Sequence, residues 1–111
     1  MAKDMVKIMN EFLHGPVWVY GAGEGASTEV YPLVLDDPII RQLNEAVNEM
    51  YSGYFEFDSH DVACWFDEEQ QKADKHKMLD LLGKLNARLA EINDGSFEVI
   101  DTETPYYESL P

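Results

Sequence analysis

Apolar residues recur along the chain in two different periods, and the alternation between them predicts an α+β domain. Between residues 3 and 13, Met5, Ile8, Met9 and Phe12 fall at helical spacing, so a helix is expected there. Gly15-Pro16 ends it. Val17-Trp18-Val19-Tyr20 reads as a strand, and Glu29 to Leu35 as its returning partner across the Gly21–Ser27 connection. Pro32 cannot donate to a ladder, which makes that second strand an edge or a bulge.

Asp37-Pro38 starts a helix. The aspartate can cap it, and proline suits the first helical position because its missing N–H is not needed there. Ile39, Ile40, Leu43, Val47 and Met50 form its apolar stripe, with Arg41, Glu45 and Glu49 outside and Gly53 as the stop. Tyr54–Phe57 and Val62–Phe66 predict a second hairpin around Asp58-Ser59-His60-Asp61. Asp67 to Gln70 has the spacing of a capping box ahead of a long helix that buries Met78, Leu82, Leu85, Leu89 and Ile92. Asn93-Asp94-Gly95 closes it, and residues 96–101 form a last strand with Phe97 and Val99 on one face.

The predicted order is α-β-β-α-β-β-α-β. The expected fold is a single domain over residues 1–101, with a mostly antiparallel sheet and about three helices on one face. Residues 102–111 are polar and acidic and are expected to be a mobile tail.

Charge changes this picture more than composition does. The chain has 111 residues, 45% of them hydrophobic, and a formal charge of −14. Thirteen of its 22 acidic residues lie between Glu11 and Glu69, where Arg41 is the only Lys or Arg. Residues 72–88 are basic by comparison, with Lys72, Lys75, Lys77, Lys84 and Arg88 against two aspartates. A chain charged this way suits a cationic surface and is repelled by nucleic acid and by anionic lipid. No run approaches the roughly 18 apolar residues of a membrane span. A lone Cys64 permits no internal disulfide, and no secretory leader pattern opens the chain, so a reducing cytoplasm is the expected setting.

The chemical candidates are few. Gly21, Gly23 and Gly25 give GxGxG without the helix, the third spacing or the lysine of a phosphate loop, and Glu24 would oppose a phosphate. Asp58, His60 and Asp61 are of metal-ligand type and support an alternative reading as a small metal-dependent enzyme centred on His60, but neighbours on one tight turn seldom converge. Cys64 in an apolar strand reads as a small core residue, and its acidic neighbourhood disfavours the thiolate. Lys72, Lys75 and Lys77 read as a solvated helix face.

The acid surface therefore carries the functional expectation: a non-enzymatic protein, with no cofactor or metal, that occupies the cationic surface of a nucleic-acid-handling protein. Its expected contact residues are Glu29, Asp36, Asp37, Glu45, Glu49, Glu56, Asp58 and Asp61, with Tyr31 and Tyr54 as aromatic anchors. In size and acidity alone the chain is similar to small phage and mobile-element inhibitors: nucleic-acid mimics, anti-restriction and anti-CRISPR proteins, and immunity proteins. A second alternative is a homo-oligomeric accessory domain, a homodimer in the simplest case, in which the basic helix meets the acid face of another copy.

Overall fold

Two hairpins, a lone C-terminal strand and five helices make up the α+β fold seen in a computed structural model that describes residues 3–21 and 30–111. The strands are β1 (Asp4–Ile8), β2 (Val17–Tyr20), β3 (Phe55–Ser59), β4 (Val62–Phe66) and β5 (Phe97–Asp101). The helices are α1 (Val30–Leu35), α2 (Pro38–Ser52), α3 (Glu68–Ala73), α4 (Lys75–Ile92) and α5 (Glu103–Glu108). One sheet has the order β2-β1-β5, antiparallel between β1 and β2 and parallel between β1 and β5; β3 and β4 form a separate antiparallel pair.

The first hairpin is real but lies one element earlier than the sequence pattern suggests. The expected N-terminal helix is strand β1, and the partner of Val17–Tyr20 precedes it. β1 is the central strand, and Val6 and Ile8 on one face of it are fully buried. A run this short fits either period, and pairing with β5, some ninety residues away, decides it. Val30–Leu35 is correspondingly helix α1 and not a returning strand. Pro32 sits in its first turn, where an N–H would have no partner, and Val30 and Val34 are buried at i, i+4 spacing. The predicted glycine connection falls largely on residues 22–29, outside the described residues.

Helix α2 begins as expected. The Asp37 carboxylate accepts from the N–H groups of Ile39 and Ile40, both at 3.0 Å. Ile40 and Val47 are buried, Leu43 and Met50 are half-buried, and Ile39 is exposed, which narrows the predicted stripe. The long final helix is broken in two at Asp74, which ends α3 and starts α4. Asp67 caps α3 through the Gln70 N–H at 3.0 Å. Met78, Leu82, Leu85 and Leu89 of α4 close the core with α2 and the three-stranded sheet.

The expected tail is also part of the fold. Asp101 accepts from the N–H groups of Glu103 and Thr104, both at 2.9 Å, and so starts α5. Tyr107 then enters the core with no exposed area. Lys75 Nζ donates to the carbonyls of Glu108 and Leu110 at 3.2 and 2.6 Å and neutralises the helix end. An aromatic residue and Leu110 three positions apart give these last residues an apolar face that their acidity masks.

Candidate protein-docking surface

The β3–β4 hairpin turns on His60-Asp61, with Ser59 paired to Val62. Both turn residues have positive φ (52° and 59°), as does Asp58 (57°). A two-residue turn of this hand needs left-handed backbone at both central positions, usually supplied by Asn-Gly. Here two bulkier residues hold it, and His60 stacks on Trp65 with centroids 4.3 Å apart at 22°. His60 Nδ1 also lies 3.6 Å from Glu56.

Register places Glu56 opposite Trp65 and Phe57 opposite Cys64, so the two pairs fall on opposite faces. Phe57, Val62 and Trp65 are 56%, 44% and 40% exposed, and four of the five β4 residues are exposed. The base of the hairpin is anchored by rings: Phe55 and Phe66 pack on each other and on Tyr51, and Phe12 lies over Phe55 and Phe57. The rest of the hairpin stands away from the body. This agrees with a molecule 50 Å long and 27 by 24 Å across, whose 15.3 Å radius of gyration exceeds the roughly 13 Å of a compact chain this size. A cleft of about 380 Å³ runs along Cys64–Glu69, where β4 bends into α3.

The expected contact residues divide sharply. Glu56, Asp58 and Asp61 share this hairpin and are exposed. Glu45 and Glu49 are exposed one helical turn apart on α2, Asp36 is exposed after α1, and Tyr31 is half-exposed on α1. Glu29 lies outside the described residues. Two residues are withdrawn from any docking role. Asp37 is gripped by Arg88, whose Nε and Nη2 donate to its two oxygens at 3.1 and 2.6 Å. That grip, helped by the cap hydrogen bonds, holds its carboxyl below the usual range. Tyr54 is 1% exposed and donates to Asp74 at 3.0 Å; burial raises its phenol pKa and the carboxylate adds to it.

Sequence reasoning missed Phe57, Val62 and Trp65 as surface residues, because an aromatic, β-branched run reads as core. The available signal was that Phe57 shares its strand with Glu56 and Asp58. Cys64, expected in the core, is exposed. Among the described residues no three His, Cys, Asp or Glu side chains are grouped to hold a metal ion, so Asp58, His60 and Asp61 do not converge.

The acid-rich segment keeps most of its charge free of basic partners. Among the described residues between Glu11 and Glu69, Asp37 pairs with Arg88 and Glu69 lies 4.0 Å from Lys72; the other carboxylates there make no ion pair with Lys or Arg. Lys84 is paired with Asp80 on its own helix, and Lys75 is engaged with α5. A second polar cluster is internal. Asn10 donates through its backbone N–H and Nδ2 to Glu103 at 3.0 and 3.2 Å, and burial raises the pKa of that carboxyl despite those bonds. Gln71 links Tyr106 and Tyr107 in the same region.

No protein-family model matches the chain, and neither a curated protein nor a solved structure matches it. No helix among the described residues is long and apolar enough to cross a membrane.

Proposed function

We propose that this protein is a non-enzymatic acidic binding protein that blocks the cationic surface of a nucleic-acid-handling protein. The observation that carries this reading is the projecting hairpin, where exposed Phe57, Val62 and Trp65 stand among the carboxylates of Glu56, Asp58, Asp61, Glu68 and Glu69. Carboxylates on rigid elements steer a basic partner and set the orientation of encounter. Exposed aromatic rings supply the short-range adhesion that screened charges lack. Glu45 and Glu49 extend the field along α2. Duplex DNA carries one charge per about 1.7 Å of axis, so a competitor for its site needs a dense array of fixed anions.

The test has two stages. The protein is first used as bait across a salt series, and each basic partner retained at low salt is purified. Labelled duplex DNA bound to that partner is then titrated with the protein. Displacement of the DNA, weakening as salt rises, is expected. A partner that binds the protein while keeping its nucleic acid refutes the blocking role.

A further inference from the structure

The outer edge of β4 has the properties of a strand-addition site. The pairs Ser59–Val62, Phe57–Cys64 and Phe55–Phe66 are spaced two apart from a two-residue turn. Asp58, of positive φ, has no partner in this ladder, and beyond it Asp67 N–H donates to the Tyr54 carbonyl at 2.6 Å. A trans peptide points its C=O and the next N–H to opposite sides, so Phe55–Phe66 is a non-hydrogen-bonded pair and Glu56–Trp65 a hydrogen-bonded one. The N–H and C=O groups of Cys64 and Phe66 therefore face away from β3, while those of Trp65 face it. Among the described residues neither Cys64 nor Phe66 takes a backbone partner on that side.

Edge strands are normally protected by charge, proline, a bulge or a covering element. Val62-Ala63-Cys64-Trp65-Phe66 has no charge and no proline, and it keeps one register with β3 although the ladder skips Asp58 and Ala63. The opposite edge, β3, carries Glu56 and Asp58 and has the Phe12 ring against Phe55 and Phe57. Of the two edges of this ribbon, β4 is the one that carries neither charge nor proline. A two-stranded ribbon is marginal by itself, and a third strand completes it.

Charge chooses the occupant. Asp61 lies at one end of β4, and Asp67, Glu68 and Glu69 lie at the other. An antiparallel pairing of two copies along this edge would set Asp61 of each beside the three acids of the other, between molecules of net charge −14 each. An extended segment bearing Lys or Arg meets the same groups favourably, and a side chain at its end can enter the cleft at Cys64–Glu69. We infer that β4 receives a cationic extended segment of a partner protein as an added antiparallel strand. This rests on the charge-guided reading above and specifies its mode.

The test uses a peptide of alternating lysine and valine and a lysine–glycine peptide of equal charge and length. Binding is read by Trp65 fluorescence and by amide hydrogen exchange. The first peptide is expected to bind about tenfold more tightly, the worth of one or two added backbone hydrogen bonds. It should protect the amides of Cys64 and Phe66 and leave that of Trp65, which already faces β3, unchanged. Cys64→Pro removes an outward N–H without breaking the β3 ladder and should abolish the difference between the peptides. The exchange pattern decides the matter if that variant does not fold. Equal binding of both peptides, with Cys64 and Phe66 unprotected, overturns strand addition and leaves charge-guided docking standing. Binding of neither peptide overturns both. Salt-stable self-association through β4 overturns the choice of a foreign strand.

Discussion

Tyr107→Ala should cost more stability than any substitution on the exposed hairpin. Tyr107 is fully buried in a core with Val6, Ile8, Met78 and Phe97, and its hydroxyl accepts from Gln71 Nε2 at 3.3 Å. Burial pushes its phenol up to about 12, as expected for a ring held out of water. Truncating a buried aromatic ring costs about 3–5 kcal/mol, from lost transfer free energy plus the cavity left behind. At an unfolding entropy of about 2.1 cal/mol/K per residue, a 4 kcal/mol loss lowers Tm by roughly 17 °C in a chain this long. A domain of this size holds only about 5–15 kcal/mol in all, so a large part of the margin goes. Tyr107→Phe separates the ring from the hydroxyl and should cost only about 1 kcal/mol. Tyr106→Ala, on the exposed side of the same helix, is the control for α5 itself. Thermal unfolding followed by circular dichroism, with urea melts at fixed temperature, reads all three. A Tyr107→Ala protein melting within about 3 °C of the parent, where roughly 17 °C is expected, would refute the placement of α5 in the core and restore the mobile-tail expectation.

Other outcomes follow from the same structure. Asp37→Ala removes the α2 cap and should cost about 1 kcal/mol from that loss alone, read as a lower urea midpoint, while partner binding is unchanged because Arg88 already occupies this carboxylate. Burial raises the pKa of Glu103, so the folded state binds its proton more tightly than the unfolded chain does; stability should fall as pH rises from the ordinary glutamate value of 4.5 through the folded pKa, and Glu103→Gln should remove that slope in urea midpoints measured against pH. Asp37, with a pKa lowered by Arg88, acts in the opposite sense: its contribution is complete above the ordinary aspartate value of 3.8 and is lost as pH falls below it, so this acid limb should survive in Glu103→Gln. Trp65→Ala should leave Tm nearly unchanged, within about 0.5 kcal/mol of stability, yet weaken partner binding in titration calorimetry; equal affinity would remove the hairpin from the docking surface.

Much of the secondary structure was legible because its signals are local. Asp37-Pro38 and Gly53 bracket α2, the turn around Asp58–Asp61 separates β3 from β4, the leucine spacing marks α4, and Asn93-Asp94-Gly95 precedes β5. Each depends on capping, turn chemistry or a period sustained over several turns. The acid density of the hairpin was legible for the same reason, since exposed carboxylates need no partner to remain exposed.

What tertiary structure alone decided was every assignment that depends on a distant neighbour. β1 is a strand because β2 and β5 pair with it on either side, and α1 is a helix because Val30 and Val34 together meet the core. The C-terminal residues fold because Tyr107 finds a buried site and Lys75 holds the last carbonyls. Asp37 is withdrawn from the proposed docking surface because Arg88, 51 residues on, reaches it, and Tyr54 because it is buried with its hydroxyl donating to Asp74. Phe57 and Trp65 stay largely exposed because the rings against them, Phe12 and His60, cover only part of each. Composition and periodicity say which residues prefer to be buried; only the packed chain says which of them find a place.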